Sequence, residues 1–222
     1  FITVVKEAPD IVSFHFRPDK KLAYTAGQFI DLTIPHVADE RGNRRWFTLS
    51  SSPTEETISI TTRIASKNGS SFKQQLMNLK PGDSVTISDP MGDFVLPIDS
   101  GIPVTFVAAG IGITPVRSMV KWLLDTRQRR EVQLIYTVHS PTDAVFQDLF
   151  ATYGVPTHLY TTVTNGRLDG SGVLELSPDK ENTLYYVSGP EPMVEKLVAE
   201  LETAGVDKSR LVTDYFLNYQ TI

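Results

Sequence analysis

Two domains are predicted: an antiparallel β-barrel with one helix, followed by an α/β domain on a doubly wound parallel sheet. Three observations support this. The first hundred residues break into short β-branched and aromatic runs separated by turn residues. From Pro103 onward, apolar strands alternate with amphipathic helices. Between the two rhythms lies the turn-rich stretch 97–103, so the boundary is placed to give domains 1–99 and 100–222.

In the first domain the expected strands are 1–5, 11–16, 28–34, 45–50, 57–63 and 84–88. One helix interrupts them at 71–79, where Phe72, Leu76 and Leu79 share a face and Pro81-Gly82 ends the run. In the second domain, strands are expected at 104–108, 132–138, 158–163 and 184–187, and helices at 115–126, 145–153 and 193–204. A final strand at 210–215 completes the sheet. The sequence shows neither an internal repeat nor a low-complexity tract.

Composition removes several classes of function. The hydrophobic content of 41% suits a well-cored soluble chain, and no run reaches the roughly 20 consecutive apolar residues of a membrane span. Cysteine is absent, which excludes disulfides, thiolate metal sites, cysteine nucleophiles and a thiolate-held iron–sulfur cluster within these residues. Redox chemistry would therefore rest on an organic cofactor, and no metal site is expected. A net charge of -5 argues against nucleic acid as the main partner. Phe1 opens a strand-like run where a start methionine would stand, so the chain reads as a piece of a longer protein.

Four segments could carry chemistry. In Arg45-Trp46-Phe47-Thr48-Leu49-Ser50-Ser51, an arginine leads a strand that ends in hydroxyls. The arginine can fork onto a pyrophosphate, and the hydroxyls can bond the polar edge of a ring. An amphipathic edge strand with a surface arginine explains the pattern equally well. Asn68-Gly69-Ser70-Ser71-Phe72-Lys73 opens a helix with free N–H groups suited to phosphate, although on its own an ordinary N-cap is the simpler reading. In the run from Val107 through Gly110, Gly112 and Thr114 to Pro115, an apolar strand enters a glycine turn. Its glycines allow close approach to a dinucleotide, and its proline suits the first helical turn. The spacing is not the three-glycine dinucleotide fingerprint. Ser188-Gly189-Pro190-Glu191-Pro192-Met193 is a second strand-to-helix loop. Such loops, at the carboxyl ends of parallel strands, form the crevice where ligands bind.

In this order the four segments resemble the ferredoxin–NADP reductase superfamily across essentially the whole chain. The first is similar to the family's arginine-x-tyrosine-serine flavin signature, with Phe47 and Thr48 at the tyrosine and serine positions. The resemblance implies FAD as cofactor, with Arg45 at its pyrophosphate, Phe47 beside the flavin and Thr48 near N5. Trp46, within the same motif, is counted with the cofactor site. Gly69, Ser70 and Ser71 match the second phosphate segment. Thr62 and Arg63 lie on the strand that precedes it, and Gly92-Asp93-Phe94 resembles the turn that closes the barrel. Gly110, Gly112, Thr114 and Pro115 match the nicotinamide-side loop. Ser188, Gly189, Pro190 and Met193 match a "C-G-P-x-x-M" segment in which Ser188 replaces the cysteine nearest the hydride path. The carboxyl-terminal strand and its closing aromatic match 213–219, with Tyr219 as the candidate shield of the flavin and Phe216 as the alternative. Asp214 is expected to be a solvated strand end.

The implied activity is hydride transfer from NADPH or NADH to FAD, catalysed with Thr48, Thr114, Ser188 and Tyr219, with electrons passed on one or two at a time. Acceptors consistent with this are a ferredoxin- or flavodoxin-like carrier, a membrane haem or a small molecule. The location is the cytoplasm, or the cytoplasmic face of a membrane if a membrane-bound domain lies outside the chain. A non-catalytic nucleotide-binding or regulatory module of the same fold is the alternative, prompted by Phe47 and Ser188. A hydrolase is disfavoured, because no G-x-S-x-G elbow is present and His15, His36, His139 and His158 lack H-E-x-x-H spacing. Arg167, in the loop after the third parallel strand, is a candidate for recognising a 2′-phosphate. Arg127, Arg129 and Arg130 suit the carboxyl end of a helix better than a docking site.

Overall fold

A computed structural model describes residues 1–40, 42–64, 69–177, 179 and 181–216. Its front half contains β1 (Thr3–Ala8), β2 (Ile11–Phe16), β3 (Phe29–Thr33), β4 (Arg44–Thr48), β5 (Ile58–Arg63), helix α1 (Ser71–Asn78) and β6 (Thr86–Ile87). All strand pairings here are antiparallel, in two three-stranded sheets ordered β1-β2-β5 and β4-β3-β6. A bridge from Leu49 to Ile60 joins the sheets into a barrel. Phe14, Ile30, Leu32, Leu49, Ile60, Phe72 and Leu76 fill it. Two of these, Phe72 and Leu76, come from α1, whose apolar face plugs one end.

The back half runs β7 (Val104–Ala109), α2 (Ile113–Thr126), β8 (Val132–Val138), α3 (Gln147–Tyr153), β9 (Thr157–Thr161), α4 (Thr162–Asn165), α5 (Gly170–Leu176), β10 (Leu184–Pro190), α6 (Glu191–Thr203) and β11 (Leu211–Phe216). The five strands are parallel, in the order β11-β10-β7-β8-β9. Every residue of β8 is buried, as expected of a strand covered on both faces. Alternation divides the sheet into two layers. Phe106, Ala108, Leu134 and Tyr136 face α2 and α3. Val107, Ile135, Tyr185 and Val187 face α5 and α6. The first layer also takes in Ala8, Ile11, Ala26 and Phe94 of the barrel, so one apolar core spans both halves.

Three expectations change. The strand expected over 158–163 ends at Thr161, and a helical turn follows it. Phe146, expected in a helix, has φ 65 and stands just before α3. Helix α5 was not expected, because glycine disfavours helix and α5 begins Gly-Ser-Gly. Packing explains the choice: a Cβ on Gly170 would lie 2.7 Å from Cβ of Glu200 on α6, and Asp169 accepts from Gly172 N at 2.9 Å as the N-cap. No described helix is long and apolar enough to cross a membrane.

Candidate functional site

The chain leaves the sheet centre at β7, builds outward through β8 and β9, and returns to place β10 on the other side of β7. The strand order therefore reverses at the carboxyl end of β7, where ligands bind in open α/β sheets. A cleft of about 760 Å³ opens at that point, between the parallel sheet and the barrel.

Strand β4 supplies the front wall. Arg45 is buried, and its guanidinium lies 5.2 Å from the Phe72 ring centre and 3.8 Å from Asp39. It also donates to the Gly42 and Arg44 carbonyls. Phe47, two residues on and so on the same strand face, stacks on Phe72 at 5.9 Å. Trp46 and Thr48 point the other way, Trp46 half exposed against Phe29 and Thr48 buried. All four border the cleft. At the end of β5, Thr62 and Arg63 join them, although the Arg63 guanidinium is held by Asp10 at 2.5 Å. Gly69 and Ser70 open α1 at the cleft, with Ser70 Oγ accepting from Lys73 N at 3.2 Å.

Hydroxyls here fall into two sets. Ser13, Thr61, Ser50 and Ser59 bond one another in a buried ladder with separations of 2.7 to 2.9 Å. Among the described residues, no hydrogen bond engages the side chains of Thr48 and Thr62 at the cleft wall. These are the hydroxyls left for a ligand.

The back wall has a glycine turn at its centre. Gly110, with φ +52 and nothing within 4 Å of where a Cβ would stand, presents its backbone to open space. Gly112 sits against the β10 loop, and a Cβ on it would fall 2.2 Å from the Ser188 carbonyl oxygen. Thr114 is buried at the start of α2 and donates to the Ile111 carbonyl at 3.1 Å. Pro190, Met193 and Phe216 complete this wall.

Four anticipated residues do not line the cleft. Ser71 is turned away, its hydroxyl taken up by His36 Nε2 at 3.0 Å and Asp39 N at 2.9 Å. Pro115 is buried within α2. Ser188 and Gly189 lie one layer behind Gly112 and Ala109, which cover them. Tyr219 lies outside the described residues, as does Asn68, and Phe216 is the aromatic at the cleft.

Asp214 is a correction. It is half-buried and pairs with Ser188 across β10 and β11, with Ser188 Oγ donating to Asp214 Oδ2 at 3.5 Å. Burial and the charge of Asp93 push its pKa up to about 6, against the opposing hydrogen bond from Ser188. Of the three arginines after α2, Arg130 is structural: it is buried and donates to the carbonyls of Ile102 and Pro97.

Sequence reading gave no site role to the cleft residues Thr137, His139 and Lys196, and named Lys73 only as part of the segment that opens α1. Thr137 is the penultimate residue of β8 and His139 follows the strand, and the carboxyl end of β8 is as much part of the switch point as those of β7 and β10. That rule would have found them.

Charge is distributed unevenly. Arg45, Arg63, Lys73, Arg167 and Lys196 border the cleft with His139, and no described aspartate or glutamate does, on a chain of net charge -5. A cationic, partly apolar cleft of this size fits a nucleotide with several phosphates.

Residues 2–96 match the oxidoreductase FAD-binding domain family, and residues 106–199 match the oxidoreductase NAD-binding domain family. The chain is 29% identical over 209 residues to NADH oxidoreductase HCR of Escherichia coli (strain K12), an alignment covering 92% of this chain and 64% of that protein. Its fold matches that of the Amycolatopsis cytochrome P450 reductase GcoB with a TM-score of 0.82 at 22% identity, covering 99% of this chain and 69% of that one. It also matches the flavohem-like FAD/NAD-binding domain of nitric oxide dioxygenase from Vibrio cholerae O1 biovar El Tor, with a TM-score of 0.80 at 24% identity, covering 96% and 95%. At these identities the structural matches establish fold alone. The chain spans 57% to 64% of the length of the curated relatives it matches.

Proposed function

Because the chain belongs to the ferredoxin–NADP reductase superfamily, with an FAD-binding domain preceding an NAD-binding domain, we propose that it oxidises NADH or NADPH and hands the electrons to a separate acceptor. The observation that carries this reading is the cationic cleft where the two halves meet, free of described carboxylates at its walls. FAD, when bound, supplies the redox centre that accepts hydride from the nicotinamide and releases electrons singly or in pairs.

The chain's own residues bind, orient and shield. Arg45, Lys73 and the start of α1 hold phosphate charge at the front, with Arg63 alongside. The free hydroxyls of Thr48 and Thr62 bond the polar edge of the flavin. Gly110 lets a second nucleotide approach the main chain closely, Gly112 seats that loop against β10, and Thr114 anchors it through its bond to Ile111. Behind the loop, Ser188 donates to the part-buried Asp214, whose pKa is raised to about 6. Phe216 closes the cleft against water. Domains 1–99 and 100–222 are the units that hold the two nucleotides. The acceptor is a protein carrier, a haem domain or a small molecule, and a further domain of a longer chain would serve equally.

Purified protein should be yellow, and the colour should bleach anaerobically on adding NADH or NADPH. Protein that stays colourless after incubation with FAD would overturn the proposal and favour a module that keeps the fold without turnover.

A further inference from the structure

Thr48 and Thr114 face one cleft from different halves, so something must set the gap between them. Helix α2 carries Thr114 in its first turn, and its next turn is tied to the chain just beyond Thr48. Arg117 Nη1 donates to the Ser50 carbonyl at 3.0 Å. Ser118 Oγ donates to the Ser51 carbonyl at 2.5 Å. Three and four residues past one threonine thus meet the main chain two and three residues past the other.

Arg117 is itself fixed from every side. Its fork closes on Glu55, with Nη2 donating to Oε1 at 3.0 Å and Nη1 to Oε2. Glu55 is held in turn by Ser52 N at 2.6 Å. The Phe146 ring lies 5.8 Å beneath the guanidinium, and Phe146 reaches that place in a left-handed conformation, φ 65, which a bulky side chain rarely adopts. The surroundings are dry: Ser50, Ser51, Ser52 and Ser118 are all buried, and the Arg117 side chain is 17% exposed. In such a setting a bidentate charge-assisted pair is directional as well as strong. Two turns further on, Asp125 accepts from Thr54, which continues the seam.

Neither Arg117, Ser118 nor Glu55 lines the cleft. Direct contact with a nucleotide is therefore not their role. Resting on the hydride-transfer reading above, we infer that Arg117 and Ser118, braced by Glu55, are positioning residues that set the separation between the Thr48 and Thr114 walls. A reaction between two rings held on opposite walls is sensitive to that separation, since about 1 Å of misplacement costs on the order of 100-fold in rate.

The test compares Arg117→Ala, Arg117→Lys and Glu55→Gln with the parent in two measurements. In FAD-loaded protein, anaerobic single-turnover reduction by NADH or NADPH separates the limiting rate from nucleotide Kd. Arg117→Ala should lose at least ~10-fold in limiting rate with Kd changed by less than about 3-fold. Arg117→Lys, which keeps charge but not the fork, should fall between. In the second measurement the natural absence of cysteine allows spin labels at Lys6→Cys in the front half and Glu195→Cys in the back half, both exposed. The parent should give one narrow distance distribution, broadened or displaced in Arg117→Ala and Glu55→Gln. Folded variants with the parental limiting rate, or with an unchanged distance distribution, would overturn the inference. A parent that fails to reduce flavin would defeat the hydride-transfer reading instead, and the distance measurement would still decide whether Arg117 sets the gap.

Discussion

The two halves meet the same cleft by different means. The barrel presents side chains: Arg45, Thr48, Thr62 and Lys73 reach in from antiparallel strands and from the first turn of a helix. The parallel sheet presents main chain at its centre, as Gly110, Gly112 and Pro190 turn at the ends of strands whose side chains are spent on two buried layers, with side chains such as His139, Met193 and Phe216 around them. An antiparallel strand can offer one face to a ligand, whereas a doubly covered strand has only its end to offer. In front a substitution should remove one contact; behind, an added atom should displace a loop.

Gly112→Ala should show the largest effect, because its Cβ would meet the Ser188 carbonyl at 2.2 Å and the Gly189 Cα at 2.8 Å, both main chain that cannot rotate away. Nucleotide-driven flavin reduction should fall on the order of 100-fold, while FAD content and reduction by dithionite stay as in the parent. Equal loss of FAD would show that the halves are not separable in this way.

Arg45→Ala probes the front by the opposite route. Loss of one charged donor of about 1.5–3 kcal/mol weakens FAD binding by roughly 10- to 100-fold. Titration of the apoprotein with FAD should show this, and reconstituted protein should bind NADH or NADPH normally. A shift in nucleotide affinity equal to that for FAD would erase the contrast between the walls.

The same contrast explains what could be read before the structure. Arg45, Thr48 and Gly69-Ser70 were legible because a side-chain wall is written in residue types, and the glycine loops because glycine marks close approach. The clamp was not legible, since Arg117, Glu55 and Ser50 are ordinary residues whose meeting depends on how one domain lies against the other. Helix α5 was hidden by Gly170, which serves contact with α6 at the expense of helix propensity. Asp214 read as solvated because the burial of a strand end depends on its neighbours in space, here Ser188 on β10, with the charge of Asp93 near enough to be felt.

Asp214 lies behind the wall and sharpens the comparison through pH. Its folded pKa, raised to about 6 from 3.8, means that the native state holds a proton that the unfolded state has released across that interval. Stability therefore falls as pH rises from about 4 to about 6 and is level above. A shift of that size corresponds to at most ~3 kcal/mol. Asp214→Asn should remove this slope in urea unfolding and make the variant more stable than the parent at pH 8. An unchanged slope would place the titration elsewhere.

The smallest effect is expected at the far end of the cleft, where Arg167 and Lys196 stand exposed. Lys196 already pairs with Glu200 at 3.4 Å across one helical turn, which leaves Arg167 the better placed to meet an added phosphate. Exposed charges are screened by solvent and contribute about 1 kcal/mol or less. Arg167→Ala should therefore lower kcat/KM for NADPH by about 3- to 5-fold and for NADH by less than 2-fold, with the NADPH loss shrinking as salt is raised. Equal losses for the two nucleotides would mean that Arg167 meets a group common to both. The back wall would then recognise its ligand by side chain as well as main chain, as the front wall does.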